Sequence, residues 1–298
     1  MIDITFLGTS GAIPTRSRNH TSILLKSNTE NILVDCGEGT QRQFRFARIS
    51  PQKITRLLIT HWHGDHVLGI PGLLQTLSFN DYFKVLKIYG PKGIKEQIKA
   101  VLVAFPMYKN IKIEIKEVLG KFLETEDFYI EAHPLTHGKV PTNAYIFVEK
   151  GKRRIDKKKL KKSRLPPGPL LKKLKEGKNI TYKNKKYLAK NLTNKEDDKK
   201  ISFVFDTVMN KKIVPFVKNS DLLISEATYD SSLSNLAKEH QHLTAGQAAE
   251  IAKKSSSKKL ILVHYSDRYE KDPTPLLKEA KKIFKNSLLA KDLDKIKV

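Results

Sequence analysis

Apolar residues along this chain come in short runs bounded by turn residues, and most of the runs are too brief to be buried helices. DITFLG, TSILLK, NILVDC, RLLITH, VLKIYG, IKIEIKEV, DFYIEA, NAYIFVEK, ISFVFD, DLLISE, KLILVH and SLLAKD are rich in side chains that suit a pleated sheet and predict strands. Between many of them the apolar positions recur at helical spacing. This predicts helices over Thr40 to Ala47, Val67 to Phe79, Gly93 to Phe105, Met209 to Lys218, Thr244 to Ser255 and Pro275 to Phe284. TAGQAAEIAKK is the clearest, because Thr244 can cap it and Ala248, Ile251 and Ala252 share one face. Strands alternating with helices, with no repeat of fixed period, define an α/β class.

Five of the strands end in a polar residue directly after the apolar run: Asp35, His61, Asp206, Glu226 and His264. Polar groups gathered at one edge of a sheet are how α/β proteins build a site, so these five predict one rim facing a common pocket.

Residues 150–200 break the rhythm. They carry 21 Lys or Arg against 5 Asp or Glu, a surplus of 16 within a chain whose net charge is +25. Apolar residues are sparse there, and a Pro166-Pro167-Gly168-Pro169 hinge precedes a short amphipathic LLKKLKEG. The expectation is a basic helical arm, with two short helices about the hinge, inserted into an α/β domain made of residues 1–149 and 201–298. Such a charge favours a polyanionic partner. No apolar run approaches the roughly 20 residues that span a bilayer, and MIDITFLGTS lacks the features of a signal peptide. Cys36 is the single cysteine and has no internal disulfide partner, as expected of a small buried residue in a reducing, cytoplasmic compartment.

The densest chemistry lies in LLITHWHGDH, which spends three of the nine histidines on one turn. Imidazole and carboxylate are natural ligands of Zn²⁺, and Gly64 lets the turn tighten. His61 and His63 can lie on one side of the turn and Asp65 and His66 on another, a geometry that suggests two ions. In AHPLTHG, spacing alone leaves His133 and His137 in competition as a further ligand.

HWHGDH resembles the His-X-His-X-Asp-His signature of the metallo-β-lactamase superfamily. FLGTSGAIPTRSRNHTSILL, LVDCGEGTQRQ, HWHGDHVLGIPGLL, YGPKG, PLTH, PPGP, FDT, SEAT, HLT and LVHYSDRY together resemble the ribonuclease Z family over nearly the whole chain. The resemblance implies an αββα sandwich with a dinuclear metal site at its edge. It further implies a zinc-dependent endoribonuclease that removes the 3′ trailer from tRNA precursors, leaving a tRNA 3′-hydroxyl and a trailer 5′-phosphate. On that pattern His61, His63 and His137 hold one Zn²⁺, Asp65, His66 and His264 hold the second, and Asp206 bridges them. Asp65 is also the general base, while Glu226 and His242 protonate the leaving oxygen. Two departures touch this last pair: Ser225 stands where the family more usually has His, and Leu243 where it has Ser.

The same resemblance makes the arm an exosite for the body of the tRNA precursor, with Lys152, Arg153, Arg154, Lys172 and Lys173 as candidate contacts. Arg16, Arg18, Asn19 and Arg268 are candidates nearer the scissile bond. GIPGLLQTLSF resembles the family's homodimer interface, although an internal core helix would read alike. Competing readings are another hydrolase of the superfamily acting on a small phosphodiester or thioester, and a non-catalytic RNA-binding protein. The basic insert argues against the first, and the complete ligand set against the second.

Overall fold

The computed structural model describes residues 2–28 and 30–298. Strands β1 (Asp3–Gly8), β2 (Ser22–Lys26), β3 (Asn31–Val34), β4 (Arg56–Leu58), β5 (Val85–Gly90) and β6 (Lys112–Glu117) lie in one sheet. β7 (Gly120–Glu124), β8 (Phe128–His137) and β9 (Val140–Glu149) begin a second. Within the basic stretch β10 (Arg153–Ile155) pairs with a later β13, and β11 (Ile180–Tyr182) with β12 (Lys185–Tyr187), where β13 is Thr193–Lys195. β14 (Lys199–Val204), β15 (Leu222–Glu226), β16 (Leu260–Val263) and β17 (Ser287–Leu289) complete the second sheet, and β18 (Lys295–Lys297) returns to the edge of the first.

Strand alternation explains how the layers stack. Ile4 and Phe6 of β1, Ile23 and Leu25 of β2, and Ile32 and Val34 of β3 point one way. They meet Phe147, Phe203 and Ile224 of the second sheet in a buried core between the sheets. Leu24 and Leu33 point the other way, under helices Thr40–Phe46, Ile70–Phe79 and Ile94–Ala104. On the far face Val204, Leu223, Leu260 and Leu262 are covered by helices Ala245–Lys254 and Thr274–Ile283. The result is an αββα sandwich. Thr244 accepts from the backbone N–H of Gln247, whose side chain returns the bond to the cap, a reciprocal pairing that stabilises a helix start by about 1 kcal/mol.

β3 and β4 run parallel in one sheet, and β14, β15 and β16 run parallel in the other. Their C-terminal ends therefore share an edge, which brings Asp35, His61, Asp206, Glu226 and His264 to one side of the molecule. Asp35, Asp206 and His264 leave their strands with φ of 58°, 31° and 55°, left-handed conformations that turn the chain sharply at the sheet edge.

Several elements depart from the sequence reading. The helix expected over Val67 to Phe79 is two, Gly64–Val67 and Ile70–Phe79, with Gly69 between. Gly69 passes so close to the chain that a Cβ there would lie 2.0 Å from the Gly37 carbonyl oxygen, and its N–H donates to Cys36 O. The helix expected from Met209 shrinks to Ile213–Phe216. DFYIEA and NAYIFVEK extend into a ten-residue hairpin, β8 against β9, that carries His137 to the site edge. Strands β7 and β18 and helix Ser234–Glu239 were not anticipated.

The basic stretch folds around a cluster of its own, Leu165, Leu174, Ile180, Tyr187, Ala189 and Leu192. Helices Lys157–Ser163 and Leu170–Lys175 flank the proline hinge, the first capped by Asp156. The stretch leaves from Glu149 and returns at Lys199, which pair with each other. β9 is ten residues long, so this root lies about 30 Å from the His137 end of the hairpin. Among the described residues no helix is long and apolar enough to cross a membrane.

Candidate active site

β4 delivers the chain to His61, and the short helix Gly64–Val67 turns Asp65 and His66 back toward the same point. His137 arrives at the end of β8, Asp206 just after β14 and His264 just after β16.

Hydrogen bonds on the outer ring nitrogens decide which nitrogen faces inward. His66 Nδ1 donates to Asp35 Oδ2 at 2.7 Å, and His137 Nδ1 donates to the Gln241 carbonyl at 3.0 Å. Thr60 Oγ1 gives its proton to Asp35 Oδ2, so it accepts from His61 Nδ1 at 3.1 Å. Thr228 Oγ1 likewise donates to Glu226 Oε2 and accepts from His264 Nδ1 at 3.1 Å. Each of these rings thus carries its proton on Nδ1 and turns an Nε2 lone pair to the centre, the arrangement expected of a metal ligand supported by an outer partner. His63 is the exception, presenting Nδ1 inward, 3.2 Å from His137 Nε2.

The inward atoms converge closely. His66 Nε2 and His264 Nε2 are 3.2 Å apart, and Asp65 Oδ2 lies 3.3 Å from the first and 3.1 Å from the second. Asp206 Oδ2 is 3.5 Å from His61 Nε2 and 3.4 Å from His66 Nε2, while its Oδ1 is 3.2 Å from His264 Nε2. Three groups with ligand atoms within 4.8 Å of one another emerge: His61, His63, His137 and Asp206; Asp65, His66, Asp206 and His264; and Asp206, Glu226, His242 and His264. The first two draw on HWHGDH, the third on Glu226 and His242, and Asp206 belongs to all three.

The donor set fits divalent cations. Among the described residues His61 Nε2 and Asp206 Oδ1 are buried without a hydrogen-bond partner, which is costly unless something else satisfies them. Facing lone pairs repel, and a cation between them removes the repulsion while taking N and O ligands suited to zinc.

Beside the first two groups stands a second polar unit. Glu226 is fully buried, accepts from Thr207 N at 2.7 Å and Thr228 Oγ1 at 2.6 Å, and receives His242 Nδ1 at 3.1 Å. Burial opposes a charge on His242, but the carboxylates of Glu226 and Asp206 outweigh it and hold the imidazole pKa up to about 9. A ring nitrogen of His242 also lies within 4.8 Å of ligand atoms of Asp206 and His264. Ser225 is buried in β15 with its hydroxyl on the Glu226 carbonyl, and Leu243 packs among the helices behind the second sheet. Neither departure from the family pattern disturbs the Glu226–His242 contact.

The remaining candidates scatter. His133 stacks on Phe216 at 4.9 Å and joins none of the ligand groups. Arg16 and Arg268 are exposed. Arg18 is only 9% exposed and turns inward, and Asn19 ties its side chain to the Glu38 carbonyl. In the arm, Lys152 pairs with Asp127 at 3.0 Å, Arg154 with Glu196 at 2.6 Å, and Arg153 donates to Thr193 Oγ1 at 2.9 Å. Lys172 and Lys173 face solvent. The Cys36 thiol is buried and pushed up to about 12 by that burial, which leaves it unreactive. Asp35 joins the rim but none of the ligand groups, its carboxylate accepting from Thr60 and His66. Gln241, which holds His137 through a backbone carbonyl, has no signature that sequence could show.

Sandwich and ligand groups together define a metallo-β-lactamase-fold protein with a metal site at the sheet edge. A family profile named for the anti-Pycsar protein Apyc1 matches residues 2–135. The metallo-β-lactamase fold protein YhfI of Bacillus subtilis superposes over 99% of this chain and 98% of its own with TM-score 0.72 at 20% identity, a likeness of fold. Human tRNase Z, short form, gives TM-score 0.72 at 27% identity over 99% of both chains. A ribonuclease Z from Methanothermobacter thermautotrophicus is 37% identical over 100% of this chain and 97% of its own length. The chain belongs to the ribonuclease Z family.

Proposed function

We infer that the protein is a metal-dependent endoribonuclease that removes the 3′ trailer from tRNA precursors. The observation that carries this reading is the convergence of His61, His63, Asp65, His66, His137, Asp206 and His264 on shared space, with His61 Nε2 and Asp206 Oδ1 buried and unpartnered among the described residues, in a chain of this family.

His61, His63, His137 and Asp206 would hold one Zn²⁺, and Asp65, His66, His264 and Asp206 the other. When bound, two such ions make water acidic enough to act as a nucleophile near neutral pH and offset charge on the phosphoryl oxygens. Asp65 accepts the proton of the attacking water at its carboxylate. Asp35, Thr60, Thr228 and Gln241 keep the ligand rings in the tautomer that binding requires. Attack at phosphorus breaks the bond to the ribose 3′ oxygen, and His242 delivers a proton from Nε2 to that oxygen, with Glu226 holding the ring charged. The products are a tRNA with a 3′-hydroxyl and a trailer with a 5′-phosphate.

The arm supplies positive charge for the folded body of the precursor, neutralising phosphates without reading bases. Lys172 and Lys173 face solvent and suit that contact, whereas Lys152, Arg153 and Arg154 already have protein partners. Arg16 and Arg268 are exposed and offer charge to phosphates near the cleavage point. Phe79 stacks on Tyr108 at 5.0 Å at the end of helix Ile70–Phe79, and Phe83, Val103 and Phe105 are exposed in the adjoining segments. This apolar surface suits a homodimer contact. A single buried thiol suits the cytoplasm.

The test is incubation of zinc-loaded protein with a trailer-bearing tRNA precursor, alongside chelator, Asp65→Ala and arm-deleted samples. Cleavage after the discriminator base is expected, and is lost on chelation and in Asp65→Ala. Arm deletion impairs precursor cleavage and spares hydrolysis of a small phosphodiester. An untouched precursor turnover without the arm would overturn the exosite role, and cleavage persisting in Asp65→Ala would overturn the assignment of the base.

A further inference from the structure

The motif IPTRSRN carries two arginines, and the structure sends them in opposite directions. Arg16 is exposed, and its backbone N–H is anchored to Glu270 Oε1 at 3.0 Å. Arg18 is buried. Its Nη1 donates to Thr9 Oγ1 at 2.9 Å and to the Ala290 carbonyl at 3.1 Å, and its guanidinium carbon lies 4.4 Å from the centre of the Tyr265 ring. A guanidinium fixed on an aromatic face and two oxygen acceptors has little freedom left to follow a phosphate.

Two of the three partners of Arg18, Thr9 and Tyr265, border His264, and the third, Ala290, is bound to Tyr265. The backbone N–H of His264 donates to Thr9 O at 2.8 Å, so Thr9 is bound to Arg18 by its side chain and to His264 by its main chain. Tyr265 follows His264 directly, and its hydroxyl donates to the same Ala290 carbonyl that Arg18 grips. Thr9 Oγ1 donates in turn to Asp292 Oδ1 at 2.7 Å, and Asp292 Oδ2 accepts from Asn19 N at 2.7 Å and Gln43 Nε2 at 2.8 Å. His264 sits inside this frame at φ 55°, a backbone conformation that non-glycine residues hold only where the surroundings enforce it. Gly11 completes the frame: a Cβ there would come 3.2 Å from His264 Cε1, so the loop lies directly against the imidazole.

We propose that Arg18 is a positioning residue for the metal ligand His264 and not a contact to RNA. It clamps Thr9, Tyr265 and Ala290 around the left-handed turn that aims His264 Nε2 at Asp65 and Asp206. The charge of Arg18 is spent within the protein, and within this motif Arg16 is the arginine left to meet phosphate. The inference rests on the reading of His264 as a ligand given above, and the experiment separates the two.

Wild type, His264→Ala, Arg18→Lys, Thr9→Val and Arg16→Ala are loaded with zinc, and the ions withdrawn by a competing chelating dye are counted and titrated. Loss of one of the two ions is expected in His264→Ala. Arg18→Lys keeps the charge but loses the planar fork, and is expected to release one ion at roughly 10-fold or more weaker affinity, as removal of an outer partner of a ligand does. Thr9→Val removes the hydroxyl accepting from Arg18 and should weaken the same ion to a smaller extent, covering the case in which Arg18→Lys fails to fold. With tRNA precursor, Arg18→Lys lowers kcat with little change in KM, and Arg16→Ala raises KM with both ions retained. If His264→Ala keeps both ions at wild-type affinity, the ligand assignment fails. If His264→Ala loses an ion while Arg18→Lys and Thr9→Val hold both as the wild type does, the positioning role of Arg18 is overturned. A rise in KM for Arg18→Lys with unchanged metal affinity would return it to the RNA.

Discussion

Ionisable side chains crowd two regions of this protein and are treated in opposite ways. At the ligand edge four of the five histidines have the outer ring nitrogen committed to a partner, and the carboxylates are buried among them. In the arm most charges stand in water, and the ion pairs that do form, such as Lys178 with Glu176 and Lys159 with Asp156, are exposed and contribute little to stability. The first arrangement fixes atoms to within a fraction of an ångström, as metal binding and proton transfer demand. The second supplies charge density without fixed direction, which is enough to hold a polyanion whose charges repeat along its length. Position matters at one end of the molecule and number at the other.

Substituting Asp206, which belongs to both groups that draw on HWHGDH, tests that division most severely. Asp206→Ala is expected to abolish precursor cleavage to the detection limit while leaving tRNA affinity, read by filter binding, close to wild type. A parallel collapse of affinity would show that the two regions are not separable. Deleting residues 152–195 should do the reverse, raising KM for the precursor by at least about 10-fold at moderate salt while the zinc content stays at the wild-type value.

Smaller changes sharpen the contrast. Glu226→Gln removes the carboxylate that favours charged His242, so the imidazole pKa falls from about 9 toward its ordinary value near 6.5. A proton donor works only while protonated, so activity is lost as pH rises through that pKa. The alkaline limb of kcat/KM therefore moves to lower pH in Glu226→Gln, and an unmoved limb would remove His242 from proton transfer. Least affected is Lys172→Ala with Lys173→Ala. There the slope of log affinity against log salt should become shallower by about 2, with kcat unchanged, since each lysine that neutralises a phosphate contributes about 1.

Sequence patterning made the site legible because parallel strands must end at a common edge. A polar residue closing an apolar run, as in ILVD or LILVH, is therefore already a statement about location. It did not separate ligands from their supports: Asp35 and Asp206 end their strands alike, yet one orients His66 and the other joins every ligand group. Gln241 was invisible because a carbonyl belongs to every residue. Arg18 shows a further limit, since a motif fixes which residue is present but not which way a long side chain turns, and this one turns inward onto Thr9 and Tyr265. The fold was read least well where local composition argues against structure. The lysine-rich β18 and the Gly- and Lys-containing β7 look like loop until a neighbouring strand pairs with them. The arm looked too sparse in apolar residues to join the core, and it builds a small cluster of its own from widely spaced residues.

The β8–β9 hairpin has a consequence for how such a molecule can change over time. One end holds His137 and the other, at Glu149, is where the arm departs before the chain returns at Lys199. Because the graft point is separated from the ligands by the full length of a paired ribbon, an arm can be lengthened, recharged or exchanged without shifting the register that aims His137. The same scaffold can thus trade one insert for another while the geometry at the far edge is inherited intact.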